Sequence, residues 1–163
     1  MKITINIIPK AQMRARHGRT KTGASVTYKA EAQRRAEDNL CAALMPYRPE
    51  RPLEGPLSLK VTAYLPVPMS WSGKRISLAE TGKLLPATKP DLDNLCKHIC
   101  DSLTAIGFWL DDKQVVKLEA GKLYNDGAGP RWEIEIKQNG PAERTSSRQA
   151  RPTPKKRIKP CLV

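Results

Sequence analysis

The chain has 163 residues, the size of one domain able to bury its own core, and its 29 Lys and Arg against 16 Asp and Glu leave a formal charge of +13. With 39% hydrophobic residues and no apolar run near the roughly 18 that a spanning helix needs, neither a wholly disordered chain nor a membrane-embedded one fits. The positive excess points to a polyanionic partner, nucleic acid before an anionic membrane surface. The first residues alternate and lack the apolar stretch of a signal peptide. Cysteines at 41, 96, 100 and 161 form no dense framework and read as reduced thiols inside a cell.

The charge is unevenly placed. Residues 10–24 carry five basic side chains (Lys10, Arg14, Arg16, Arg19, Lys21) and no acid; residues 25–140 hold 16 basic and 15 acidic groups; residues 141–163 hold seven basic groups and Glu143. The chain divides accordingly into a domain over 1–140 and a basic tail over 141–163. The tail has few large apolar residues and four prolines, too little burial to offset its ordering entropy, and is predicted to be disordered. It serves either as a solubilising end or as a contact to the polyanion. The 10–24 segment reads as a basic loop whose five cations suit phosphate contacts.

Within the body, Ile3, Ile5 and Ile7 alternate with polar residues and predict a strand. Tyr28, Ala32, Ala36, Leu40 and Leu44 recur at four-residue steps and predict an amphipathic helix over 27–45, stopped before Pro46. Leu59, Val61, Ala63 and Leu65 predict a second strand ended by Pro66 and Pro68. Residues 66–90 form a long connection that carries Lys74 and Arg75 as candidate DNA contacts, and such length inside a compact domain is usually functional or mobile. Leu95, Ile99, Leu103 and Ile106 share one helical face, with Asp93 or Asn94 as N-cap and Gly107 as stop. Val116, Leu118 and Ala120 predict a third strand and Trp132, Ile134 and Ile136 a fourth. The turn-forming Asn125–Pro130 between them predicts a hairpin. The fold class is α/β, a single compact domain of β-α-β-α-β-β order with helices packed on a mixed sheet.

Five aspartates fall within 22 residues: Asp91, Asp93, Asp101, Asp111 and Asp112. Crowded carboxylates repel unless a cation compensates them. In an extended stretch Asp91 and Asp93 point to one side, and Mg²⁺ takes one or two such carboxylates together with water and substrate phosphate. A metal held there suits phosphodiester hydrolysis. Lys97 returns to the face of Asp93 one helical turn later, where it can neutralise the acids or meet a phosphate. The same spacing also suits a helix cap at Asp93, a loop end at Asp91 and a surface pair for Lys97. A helix over 94–106 is about 20 Å long, and six further residues span at most about 21 Å. Asp112 can therefore just reach Asp91 and Asp93 if the chain doubles back, or it serves another subunit.

The segments Lys89-Pro-Asp-Leu-Asp-Asn-Leu-Cys-Lys, Asp101-Ser-Leu and Gly107-Phe-Trp-Leu-Asp-Asp-Lys-Gln-Val-Val resemble the RusA family of Holliday junction resolvases. That family's pattern runs D-L-D-N-x-x-K, a D-A-L-like helix, then D-D-x-Q-[IV]. The resemblance covers roughly 89–124 and is carried by three linked motifs. It implies a small homodimeric, Mg²⁺-dependent endonuclease, with Mn²⁺ as substitute, that acts on four-way DNA junctions in recombination and repair. Asp91, Asp93 and Asp112 match the family's catalytic metal-binding acids and Lys97 its essential lysine. Asp111 and Gln114 match positions without a clear role. Ser102 stands where Ala is usual, the basic tail has no counterpart, and 66–90 aligns poorly. A bacterial or phage-encoded, cytoplasmic, nucleoid-associated protein without membrane contact follows.

Other residues carry less. Cys96, His98 and Cys100 look like ligands on paper, but on a helix His98 points away from the two thiols, and a structural zinc site needs four ligands. His17 suits phosphate or solvent. Trp71 reads as a core residue or as an apolar wedge between bases. Phe108 and Trp109 read as packing for the turn that presents Asp111 and Asp112. The competing function is a non-catalytic DNA-binding or architectural protein that uses the basic segments alone. A metal nuclease acting on other branched DNA or on RNA is a third.

Overall fold

In the computed structural model, which describes residues 1–13 and 16–140, the spine of the sheet is the fourth strand of the chain, β4 (Leu57–Leu65). Leu57, Leu59, Val61, Ala63 and Leu65 are at most 5% exposed, while Ser58, Lys60, Thr62 and Tyr64 occupy the opposite face, the alternation of a half-buried strand. Strand β6 (Arg131–Gln138) pairs antiparallel with it on one side and β5 (Val115–Tyr124) parallel on the other. Strand β1 (Lys2–Ile5) adds antiparallel to β6, so the four-stranded sheet runs β1-β6-β4-β5 and is mixed. The strands β2 (Arg16–Arg19) and β3 (Ser25–Tyr28) form a separate two-stranded ribbon.

Three helices complete the fold: α1 (Glu31–Leu44), α2 (Gly73–Glu80) and α3 (Leu92–Ala105). Both long helices are amphipathic, and their stripes Ala36, Leu40, Leu44 and Leu95, Ile99, Leu103 are buried. Leu40, Leu44 and the α3 stripe share one core with Ile3, Ile5, the buried face of β4, and Trp132, Ile134 and Ile136. The other sheet face stays open and pairs charges across strands, as Lys60 does with Glu119. Helix α3 ends as its sequence predicts. Gly107, at φ +76°, takes the left-handed conformation, and Gly107 N–H and Phe108 N–H donate back to Thr104 O and Leu103 O, at 3.0 Å each, in a Schellman motif. No helix among the described residues is long and apolar enough to cross a membrane.

The structure departs from the sequence reading at several points. β5 and β6 are not a hairpin, because β4 lies between them. Asn125–Pro130 does reverse the chain, but it steps over the end of β4, where Asn125 N–H donates to Leu65 O at 2.8 Å. Six residues easily cross two inter-strand spacings of about 4.8 Å each. Turn chemistry governs only the reversal, whereas the apolar β4 takes the centre, where ladders on both sides satisfy its backbone. The basic loop contains β2 and the turn of a ribbon whose second strand, β3, follows it, so Tyr28 lies in a strand and α1 begins at Glu31 rather than at 27. The long connection contains α2. The N-cap position of α3 is Asp91 rather than Asp93 or Asn94, and its side chain makes no capping hydrogen bond. Residues 141–163, Cys161 among them, lie outside the described residues.

Leu103 is fully buried between α3 and the sheet. Leu103→Ala is expected to lower unfolding stability by about 2–5 kcal/mol, measured as a shift of the denaturant midpoint at constant slope.

Candidate active site

Helix α3 approaches the edge strand β5 but leaves it partly uncovered. The parallel register sets Leu118 beside Leu59 and Ala120 beside Val61, which turns both toward the helix layer. Leu118 nevertheless remains 49% exposed. Between this strand and the flank of α3 opens a pocket of about 520 Å³, lined by Asp93, Cys96, Lys97, Cys100, Asp101 and Asp112 above a floor of Leu118 and Ala120. Asp93, Lys97 and Asp101 are spaced four residues apart and make one row along the helix. The row lies beside the buried Leu95–Ile99–Leu103 stripe, so docking that stripe on the sheet presents the row to the pocket.

Asp112 returns to Asp93 and Lys97 within the same chain. After Gly107 the backbone is held by Phe108 and Trp109, at most 1% exposed. Trp109 Nε1–H donates to Thr104 Oγ1 at 2.7 Å, and Leu53 N–H donates to Phe108 O at 2.7 Å. These two aromatics pack the turn as their sequence position implied. A 3₁₀ turn (Asp112–Gln114) then carries the acid. Gln114 is its brace: its Oε1 accepts from Leu110 N–H at 2.9 Å and Asp111 N–H at 3.2 Å, and its Nε2 donates to Leu53 O at 2.9 Å and Gly55 O at 3.2 Å. Asp111 faces this scaffold rather than the pocket. It accepts from Lys113 N–H at 3.0 Å and pairs with Lys113 Nζ at 2.9 Å, and the side-chain bond to Lys113 chiefly holds its carboxyl below the usual range.

Further side chains fix the other half of the site. Lys122 on β5 donates through Nζ to Thr88 O at 2.7 Å and Pro90 O at 2.8 Å, pinning the segment that leads into Asp91. Asp91 itself stands at the α3 N-cap, exposed and outside the pocket lining. Gln12 N–H donates to Asn94 O at 3.0 Å, and its Nε2 donates to Asp101 Oδ2 at 2.8 Å. The same Oδ2 lies 3.7 Å from Lys97 Nζ, too far for a hydrogen bond, so the ammonium is neighboured but not locked. Burial pushes the Cys100 thiol up to about 11, assisted by Cys96 and by the carboxylates of Asp112 and Asp101. Cys96 is likewise raised, by burial and then by Asp93. These thiols pack the pocket wall as neutral groups.

Three of the four predicted catalytic residues therefore meet, and Asp91 sits just ahead of them. Among the described residues, no three His, Cys, Asp or Glu side chains form a preformed metal-binding set. His98 turns away from the cysteines as helix geometry requires: its Nδ1–H donates to Lys10 O at 2.7 Å, and it lines a different cavity with Lys10 and Trp132. Of the predicted DNA contacts, Lys74 and Arg75 stand exposed on α2, and Arg75 lies 3.9 Å over the ring of Trp71. Trp71 joins neither the core nor a free edge. It is half-buried and packs edge-on against Tyr124 at the end of β5. Arg19 and Lys21 are exposed on and beside the ribbon, whereas Arg14 and the side chain of Arg16 lie outside the described residues. Gln12, Asp101, Gln114 and Lys122 had no assigned role in the sequence. Only Gln114 carried a local signal, since it stands three residues after Asp111 at capping-box spacing.

The family model described as Endodeoxyribonuclease RusA matches residues 6–137. The uncharacterized protein YqaN of Bacillus subtilis is 42% identical over 94 residues, covering 56% of this chain and 64% of that protein. The crossover junction endodeoxyribonuclease rusA of Lactococcus phage r1t is 36% identical over 110 residues, covering 63% of this chain and 73% of that one. The crossover junction endodeoxyribonuclease RusA of Escherichia coli K12 is 48% identical over 50 residues, or 31% of this chain and 41% of that one. The motif-bearing α3 and the returning Asp111–Gln114 turn lie inside the matched region, and the chain belongs to the RusA endodeoxyribonuclease family.

Proposed function

We propose that this protein is a divalent-cation-dependent endodeoxyribonuclease that resolves four-way DNA junctions by paired nicks in recombination and repair. The observation that carries the reading is the convergence of Asp93, Lys97, Asp101 and Asp112 on one open pocket beside an edge strand. Their chemistry suits Mg²⁺, or Mn²⁺ in its place. Asp93 and Asp112 are exposed hard-oxygen donors on two different elements, and Mg²⁺ needs only one or two carboxylates when waters and a substrate phosphate complete its shell. Asp91, at the head of the helix, is the third acid assigned to this role. A cation bound there polarises the scissile phosphate and neutralises charge that develops on it.

The remaining chemistry belongs to the chain. The oxygen of water bonds to phosphorus as the P–O bond to one sugar oxygen breaks; the attacking water gives up a proton to solvent and the departing sugar oxygen takes one up. Lys97, free to leave its loose contact with Asp101, donates to the phosphoryl oxygens as their charge grows. Gln114 and Lys122 hold the two acid-bearing segments in fixed positions, so little reorganisation accompanies the reaction. Lys10, Arg14, Arg16, Arg19, Lys21, Lys74 and Arg75 bind phosphates flanking the cut. A two-fold dimer presents two equivalent sites, which suits paired nicks on opposite strands. Supporting it, Leu110 and Val116 are 72% and 64% exposed beside and on the edge strand, outside the pocket lining, an apolar surface that a second copy can cover. A DNA partner, together with phage and bacterial relatives, supports a bacterial or phage-encoded protein that works beside the nucleoid.

Incubated with a synthetic mobile four-way junction, the protein is expected to produce paired nicks only when Mg²⁺ or Mn²⁺ is present; absence of nicks at every metal concentration removes the reading. Asp93→Asn is expected to abolish nicking while retaining junction binding, and Lys97→Ala to slow single-turnover nicking by about 10²–10³-fold. Wild-type rates in either variant would refute its assignment. Gln114→Ala strips partners from two backbone N–H and two backbone C=O groups. It is expected to cost about 1–3 kcal/mol of stability in a denaturant titration and to slow nicking at temperatures where the variant stays folded.

A further inference from the structure

Among the described residues the ribbon β2–β3 buries no side chain, and residues 19–29 are all exposed. A hairpin of two four-residue strands is marginal by itself in water, yet this one is built with care. At its tip Thr20 N–H donates to Ala24 O at 2.8 Å, Gly23 N–H to Thr20 O at 2.9 Å, and Ala24 N–H to Thr20 Oγ1 at 3.1 Å. Gly23 supplies the positive φ of +84° that the turn requires. Tyr28 lies across Gly18, where a Cβ would meet the ring at 3.2 Å and push it slightly aside.

The register divides the ribbon into two faces. Pairs His17↔Thr27 and Arg19↔Ser25 alternate with Gly18↔Val26 and Arg16↔Tyr28, so His17, Arg19, Ser25 and Thr27 share one polar, basic face and Val26 and Tyr28 occupy the other. Across the polar face His17 Nδ1 and Thr27 Oγ1 are hydrogen-bonded at 2.9 Å. No acid occurs before Glu31 in the chain. Glu37, on α1 after the ribbon, is engaged by Lys29 at 2.9 Å. The root of the ribbon is fastened to the site: Lys10, Gln12 and Met13 are held by His98, Asn94, Asp101 and Gln33, the first three on α3. A ribbon with one basic hydrogen-bonding face, following an arm held on the helix that carries Asp93 and Lys97, matches a polyanion that extends beyond the pocket. A two-stranded ribbon is of the size the DNA major groove admits.

We infer that the β2–β3 ribbon reads the major groove of one DNA arm: His17, Arg19, Ser25 and Thr27 face the base edges, and Arg19 and Lys21 engage the bordering phosphates. The inference deepens the endonuclease reading and rests on it for the identity of the DNA. The test uses the full chain on a four-way junction in EDTA, so that binding is measured without cleavage. Two readouts are taken: the salt dependence of affinity, and interference by dimethyl sulfate, which methylates guanine N7 in the major groove. Arg19→Ala/Lys21→Ala is expected to reduce the slope of log affinity against log salt by about 2. His17→Ala/Thr27→Val is expected to erase the N7 interference that wild-type protein shows in one arm. Val26→Thr, on the opposite face, is expected to leave both readouts at wild-type values and so shows that a ribbon substitution is tolerated. An unchanged slope, an unchanged interference pattern, or a change caused by Val26→Thr would overturn the inference. Metal-dependent nicking with no ribbon effect would sink the groove assignment alone. Ribbon-dependent interference without nicking by wild type would sink the endonuclease reading alone.

Discussion

The docking of α3 on the sheet is the constraint on which the rest depends. Leu95, Ile99 and Leu103 are each fully buried, and a helix that buries one stripe must present the adjacent one at a fixed angle. Asp93, Lys97 and Asp101 form that adjacent stripe, so the position of the reactive row is decided by apolar contacts it does not itself make. The site then needs only an opposite wall. The edge strand β5 provides it, because the helix layer stops short of the last strand of the sheet and leaves Leu118 and Ala120 as a floor.

Apolar packing places the helix, but backbone hydrogen bonds to a few long polar side chains place the segments at its two ends. Gln114 clasps the Asp112 turn to the chain ahead of β4, Lys122 clasps the approach to Asp91, and Gln12 with the His98–Lys10 contact fastens the N-terminal arm along α3. Gln114, Lys122 and His98 bind main-chain groups of loops, whereas the Gln12 side chain donates to the Asp101 carboxylate. A buried or half-buried backbone carbonyl without a partner is costly, so these side chains do for the loops what ladders do for the strands. They also hold the segments that carry Asp91 and Asp112 in place beside α3, without gathering three acids into one cluster among the described residues.

The legible parts of the fold were those in which a residue's neighbours in sequence are also the ones that matter in space. The alternating Ile3–Ile5, Leu57–Leu65 and Trp132–Ile136 patterns and the four-step apolar rows of α1 and α3 follow from periodicity. The stop at Gly107 follows from the freedom of glycine to adopt φ +76°. The ribbon and α2 were missed because their segments show no apolar period: Arg16–Arg19 and Ser25–Tyr28 bury no described side chain, and α2 buries only Ala79. Local turn bonds and the Trp71–Tyr124 contact hold these elements instead. The supposed β5–β6 hairpin failed for a different reason. A reversal signal says that the chain turns, not which strand it finds when it returns.

The sequence by itself determined the net charge and its placement, the strands and helices with a strong period, and the residue types gathered around Asp91–Lys97 and Asp111–Gln114. These depend on composition and short spacing, which no fold can alter. Tertiary structure alone decided that Asp112 comes back to Asp93 and Lys97 in its own chain, that Asp91 stays at the helix cap, and that Asp111 turns to Lys113. Tertiary structure also decided that the strand beneath the pocket is an edge. Those outcomes turn on which strand occupies the centre of the sheet. That choice is settled by the burial of β4 between two ladders, a balance over the whole domain that no local window contains.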